Sequence, residues 1–158
     1  MQQTRIYLDT SFISYLEQDD PPERKYDTNE LWNMFRYQKN VELYVSNVTM
    51  EEISKCKEPK FSLLISRMSE NNLRILYENE QDIKLMRIYL ENKVLSEKSL
   101  DDLRHISIAV NNKSDFILSW NFKHFVNHRT IKAVNEINEL YDLPKVHILP
   151  PSMLLGGF

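Results

Sequence analysis

Short apolar runs recur along this chain, each too brief for a helix, and the stretches between them carry helical periodicity. Ile6-Tyr7-Leu8 ends at Asp9-Thr10-Ser11, a run followed by capping residues, and reads as a buried strand entering a helix lined by Phe12, Ile13, Tyr15 and Leu16. Leu43 to Ser46, Leu73 to Leu76, Asp115 to Ser119 and Val146 to Ile148 read as further strands. The spacing between them predicts helices over residues 23–39, from Thr49 towards Pro59, over 61–68, from a cap at Asn79, from a cap at Ser99, and over 126–141. Strands that alternate with helices define an α/β fold with a mostly parallel, about five-stranded sheet covered by helices on both faces. No repeat or linker divides the chain, so residues 1–158 read as a single domain.

Composition then removes whole classes of function. The 2 glycines, Gly156 and Gly157, are adjacent near the end, which excludes a phosphate-binding loop and a dinucleotide-binding turn. The single Cys56 excludes an internal disulfide and a zinc site built on several thiolates. His105, His124, His128 and His147 form no H-E-x-x-H pair. No apolar run approaches the roughly 18 residues of a membrane helix, and too few apolar residues precede Asp9 for a secretory signal. The expectation is a cytoplasmic protein with no membrane partner. The net charge of -3 gives no bulk attraction to nucleic acid, so any such binding needs a local patch.

In a parallel sheet, the C-terminal ends of strands and the N-terminal ends of the following helices share one edge, where ligands bind. Asp9, Glu52, Asp102 and Asn121 should all fall on that edge although they lie far apart in the chain. Each acid has a plain alternative as a helix cap. Asp9 can cap its helix, and Thr49-x-x-Glu52 and Ser99-x-x-Asp102 both fit the capping-box spacing. Helical faces point Glu52 and Asp102 towards the sheet, and Glu51 and Asp101, with Arg104 and His105 following, towards solvent. Carboxylates crowded on one edge need a positive partner. An all-oxygen set without thiolates suits Mg²⁺ or Mn²⁺, and that chemistry fits phosphodiester hydrolysis.

These residues stand in motifs. Tyr7-Leu8-Asp9-Thr10-Ser11, Val48-Thr49-Met50-Glu51-Glu52-Ile53, Asp102 to Ala109, and Asp115 to Phe125 lie in order at suitable spacing. Together they resemble the PIN-domain ribonucleases, many of which are toxins of type II toxin–antitoxin pairs, and the resemblance spans nearly the whole chain. It implies a three-layer α/β/α sandwich, often dimeric, and a divalent-metal endoribonuclease. Carried over, Asp9, Glu52 and Asp102 hold the metal, and Ser119 helps place water or substrate. Asn121 departs from the Asp of many members and supplies an oxygen but no charge for a second ion. Trp120-Asn121-Phe122-Lys123-His124 matches a variant form of the fourth motif.

Leu103 to Asn135 holds Arg104, Lys113, Lys123, Arg129 and Lys132 against Asp115 alone, a net +4 from five cations and one acid. With His124 this reads either as a surface that tracks RNA phosphates or as a solvated helix face. Trp120 reads as packing rather than base stacking, His105 and His124 as structural, Cys56 as core, and Leu154-Leu155 as docking on the body or on a partner. Two further readings stand beside the ribonuclease: a catalytically weak or inactive module that binds RNA or protein, and a phosphatase with Asp9 as nucleophile. The last is weakened because Ser11 occupies the place of a second aspartate.

Overall fold

The structure, a computed structural model, describes residues 2–156. Strands β1 (Thr4–Leu8), β2 (Val41–Ser46), β3 (Leu73–Leu76), β4 (Phe116–Leu118) and β5 (His147–Leu149) form a five-stranded sheet in the order β3-β2-β1-β4-β5, and every pairing is parallel. Among the described residues, seven α-helices accompany them: α1 (Thr10–Ser14), α2 (Pro22–Phe35), α3 (Asn47–Ile53), α4 (Lys60–Met68), α5 (Glu80–Glu91), α6 (Leu100–Asn111) and α7 (His128–Leu140). Helices cover both faces, giving the three-layer α/β/α sandwich.

The pleat divides the strand residues between two cores. Ile6, Leu8, Leu43, Val45 and Leu118 pack with residues of α1 to α4, whereas Tyr7, Tyr44, Ile117 and Ile148 pack with residues of α5, α6 and α7. Successive side chains of a strand point to opposite faces, so a run buried on both faces reads as continuously apolar. Leu103, Ile106, Ala109 and Val110 of α6 are buried at 1% exposure or less, as their periodicity predicts. A short 3₁₀ turn at Pro151–Met153 packs against α2, and Leu154 enters the core beside Trp32, so this segment docks on the body.

Several boundaries differ from the sequence expectation. The helix predicted to begin at Thr49 begins at Asn47 and ends at Ile53. Ser46 is extended, its hydroxyl accepts from the Val48 N–H at 3.2 Å, and Thr49 Oγ1 accepts from the Ser46 N–H at 3.2 Å. The capping box is therefore Ser46 with Thr49, which leaves Glu52 in the second turn and outside any cap. Helix α2 stops at Phe35 rather than at residue 39, because the chain must turn before β2 starts at Val41. Asn79 does cap α5, in a reciprocal pair with Asp82. No helix among the described residues is long and apolar enough to cross a membrane.

Candidate active site

Strand register builds the site. Leu8 pairs with Leu118, so the next residues, Asp9 and Ser119, lie side by side where β1 and β4 end. Asp9 is the N-cap of α1 and is 3% exposed. Its Oδ1 accepts from the Phe12 N–H at 2.9 Å and from Ser11 Oγ at 2.7 Å; its Oδ2 accepts from Ser119 Oγ at 2.6 Å. Ser119 Oγ in turn accepts from the Asn121 N–H at 2.9 Å, and Ser11 Oγ from the Trp120 N–H at 2.8 Å. Two hydroxyls thus tie Asp9 to the loop after β4. Burial pushes the Asp9 carboxyl above its ordinary range, and the hydrogen bonds from Ser119, Ser11 and Phe12, with the electrostatic pull of His105, only partly offset it. Ser119 is fully buried and gives its proton to Asp9, so its influence on the cleft runs through that carboxylate.

Asp9, Glu52, Asp102 and Asn121 line one cleft of about 280 Å³, with Thr10 and His105 on its wall. Glu52 Oε1 accepts from Thr10 Oγ1 at 2.8 Å and lies 2.5 Å from His105 Nε2. Burial alone would raise Glu52; the hydrogen bond and electrostatic pull of His105, with the Thr10 hydroxyl, bring it below its ordinary value. Asp102 Oδ2 lies 2.8 Å from His124 Nδ1. Burial and the Glu52 charge raise the Asp102 carboxyl, and the His124 hydrogen bond opposes them without prevailing.

The capping box expected at Ser99-x-x-Asp102 does not form. Ser99 has φ -109° and ψ 29°, not the extended backbone of a capping residue, and its hydroxyl makes no cap hydrogen bond. A 3₁₀ turn at Glu97–Ser99 leads into α6 and sets that backbone; the hydroxyl instead lies 3.3 Å from His124 Nδ1. Asp102 is free of capping and faces the cleft. Asn121 has a structural part as well: its Oδ1 accepts from the His124 N–H at 2.9 Å, closing the turn that carries His124 to Asp102. An amide oxygen serves this turn as well as a carboxylate does.

The candidate RNA contacts divide. Arg104 is held by Glu78 through Nε and Nη2 at 2.9–3.3 Å, by Asp101 at 3.0 Å and by Glu51 at 3.3 Å, so it clamps α3, α6 and the turn before α5. Glu78, then Asp101 and Glu51, drive its guanidinium further above its ordinary value, and most of its donors are taken by these acids. His124 is occupied by Asp102. Lys123 and Arg129 are exposed, have no carboxylate partner among the described residues, and line with Phe122 and His124 a groove of about 830 Å³. Trp120 packs as expected, 6% exposed with Nε1 donating to Thr28 Oγ1 at 2.8 Å.

His105, expected to be structural, is 2% exposed and joins a buried chain of polar groups. Its Nδ1 lies 2.6 Å from the Tyr7 hydroxyl, which lies 2.7 Å from Ser46 Oγ. Burial pushes the Tyr7 phenol well above its ordinary value, so it keeps its proton within this chain of polar groups. The signal was spacing: His105 stands at i+3 from Asp102, and that relation shares a face as readily as i+4 from Asp101.

In kind, these residues fit a hard divalent ion. The cleft offers three carboxylates and an amide, and no Lys or Arg among the described residues lines it. Glu52 Oε2 and Asp102 Oδ1 make no hydrogen bond within the described residues. Each acid is nonetheless held by a protein donor, and no group of three or more His, Cys, Asp or Glu side chains among the described residues is drawn together as a ready ligand set. Side chains would have to turn to close around an ion.

The parallel sheet with its acid-lined edge is a PIN-like α/β/α fold. The chain is similar in structure to VapBC2 from Rickettsia felis, solved with a DNA fragment from its promoter (TM-score 0.56, 18% identity, 93% of this chain and 98% of that one). It is similar as well to Mycobacterium tuberculosis VapC20, a toxin that cleaves the sarcin–ricin loop (TM-score 0.59, 14% identity, 75% and 92%). A third likeness is to VapBC-1 from nontypeable Haemophilus influenzae (TM-score 0.59, 16% identity, 94% and 99%). At such identities the likeness is one of fold. No protein-family model and no curated relative matches the sequence.

Proposed function

We propose that this chain is a divalent-metal-dependent endoribonuclease, the toxin of a type II toxin–antitoxin pair. The observation that carries the reading is the meeting of Asp9, Glu52 and Asp102, from three separate segments, in one cleft at the C-terminal edge of the sheet. The likeness to VapC20 supports RNA as substrate, and the two VapBC structures support an antitoxin partner. A dimer and a cytoplasmic setting belong to the same reading.

Asp9, Glu52 and Asp102 would hold Mg²⁺ or Mn²⁺, with Asn121 beside them. Such an ion supplies neutralising charge at the phosphoryl oxygen and a lowered pKa for water. The chain's own groups fix the acids: Ser11 and Ser119 hold Asp9, Thr10 and His105 hold one oxygen of Glu52, and His124 holds one oxygen of Asp102. Lys123 and Arg129 would meet the phosphates that flank the scissile bond.

Asp102→Asn tests the reading. It keeps size and an acceptor oxygen but removes charge. Cleavage of RNA should fall by orders of magnitude, and the rise in melting temperature that Mn²⁺ gives the parent should shrink, while the metal-free fold stays intact. Cleavage by the parent that survives a chelator, with contaminating nucleases excluded, would overturn the metal mechanism. The alternative, a catalytically inactive module that binds RNA or protein, draws on Asn121 and on the hydrogen bonds already made by every acid. RNA binding without cleavage in saturating Mn²⁺ would establish it.

A further inference from the structure

Phe122 is 45% exposed. Its neighbour Asn121 lines the acid cleft; Phe122 itself, with Lys123 and His124, lines the larger groove. What distinguishes it from the other exposed rings is its place beside the acid cleft and the support behind it.

The ring is held in place from behind. Trp120 lies 6.4 Å from it, tilted by 52°, and the Arg24 guanidinium sits 5.3 Å from its centroid. Arg24 is also 5.4 Å from the Trp120 ring and 5.6 Å from the Tyr15 ring, and Tyr15 forms part of the acid cleft wall. Arg24 donates to the Tyr15 hydroxyl at 3.4 Å and has no carboxylate partner among the described residues, unlike Arg67 and Arg104, each of which is paired. Asn127 Nδ2 donates to the carbonyls of Phe122 and Lys123 at 3.1 and 2.9 Å, which fixes the loop. The ring face is therefore presented in advance, and ordering it on binding costs little entropy.

We propose that Phe122, backed by Arg24, is a stacking platform for one unpaired nucleobase of a single strand that runs from the groove into the acid cleft. The proposal rests on the RNA reading above and adds where a base is held. Nucleobases stack on aromatic rings and on guanidinium planes whatever their sequence, and cations beside the ring track the backbone. Lys93, Lys123 and Arg129 supply those cations in the adjoining groove, which Glu91 and Glu97 also line. Trp120 cannot take this part, being buried and bonded to Thr28. The platform thus selects single strands with an intact base at one position rather than duplex.

The test needs no cleavage. Full-length protein in chelator is titrated with a labelled single-stranded RNA decamer and with ten versions that each carry one abasic ribose. The intact strand should bind about tenfold more tightly than the version lacking the stacked base. Phe122→Leu, which keeps apolar bulk, should bind the intact strand at the abasic level; Phe122→Tyr should restore it; Arg24→Gln should fall between. Equal affinity of the parent for all eleven strands would overturn the platform, and so would an unchanged affinity of Phe122→Leu. Should Phe122→Leu fail to fold, the abasic series on the parent decides. The two readings fail separately. Phe122-dependent binding without hydrolysis removes the nuclease and leaves the platform; hydrolysis with binding indifferent to Phe122 does the reverse.

Discussion

The two halves of the acid cleft are built differently. Asp9 and Glu52 are held by groups buried in the core: Ser119 is fully buried, His105 is 2% exposed, and Tyr7 behind it is fully buried. Asp102 is held from the side by His124, whose side chain is 31% exposed and stands on the loop after β4. Buried hydrogen-bonded chains are rigid because breaking any link leaves an unsatisfied polar group out of water. A half-exposed histidine can leave, since water replaces it. One half of the cleft is thus prebuilt by the core, and the other half adjusts with a surface loop. Closure of the acids around an ion should come from the Asp102 side.

The largest effect should separate the two histidines. His105→Ala removes buried ring volume and leaves the Tyr7 hydroxyl without one partner and Glu52 without its nearest donor. It should lower folding stability by about 2–4 kcal/mol, from cavity and lost hydrogen bonds together. His124→Ala breaks a half-exposed pair and should lower it by about 1 kcal/mol or less. Urea denaturation of both variants checks this. Equal losses would mean that the halves are supported alike. In Mn²⁺ affinity the order should narrow, since each variant frees one carboxylate to wander.

The contrast also marks what the sequence could tell. The central strands were legible because the runs of β1, β2 and β4 are apolar on both faces, and the acids because motif positions follow strand ends. The caps were not. A hydroxyl three residues before an acid occurs at Thr49 and at Ser99, yet the backbone turns helical at Asn47 in one case and passes through a 3₁₀ turn in the other. Spacing does not report which residue is the last extended one. The partners of Arg104 were hidden for a different reason: the main one, Glu78, lies in another segment of the chain, and local charge counting cannot see a partner 26 residues away. His105 was hidden by the same limit, because the groups that make it a link, Tyr7 and Glu52, come from β1 and α3.

Acid titration should sharpen the comparison further. Asp102 is raised and Glu52 is lowered, so on acidification the adjustable half protonates before Glu52 does. Metal ligands must be deprotonated to bind, so the Mn²⁺-induced rise in melting temperature should begin to fade at a pH above the ordinary Asp range. Without metal the sign reverses. A carboxyl raised in the folded state stabilises the fold below its unfolded pKa, and that contribution is lost as pH rises through the folded value. The parent should therefore gain on Asp102→Asn as pH falls through the window between the folded and the ordinary Asp values. A stability difference between the two that is flat across this window would show Asp102 to be unperturbed.

The smallest effect concerns the cations. Arg104 and the pair Lys123 with Arg129 lie in the same positively charged stretch, but Arg104 is tied to three acids whereas the other two face an open groove. A protein cation that is already neutralised releases no counterion from the nucleic acid when the complex forms. One that meets a phosphate does, and each such contact steepens the dependence of log affinity on log salt by about 0.7 for a single strand. Replacing Lys123 and Arg129 together by Ala should therefore flatten the slope by about 1.4. Arg104→Ala should leave the slope where it is and lower stability modestly, because Glu51, Glu78 and Asp101 are left facing one another. Binding of a single-stranded RNA in chelator, measured from low to moderate salt, decides between them. A slope that changes with Arg104 but not with Lys123 and Arg129 would move the RNA path to the surface that α3, α6 and the turn before α5 form around Arg104.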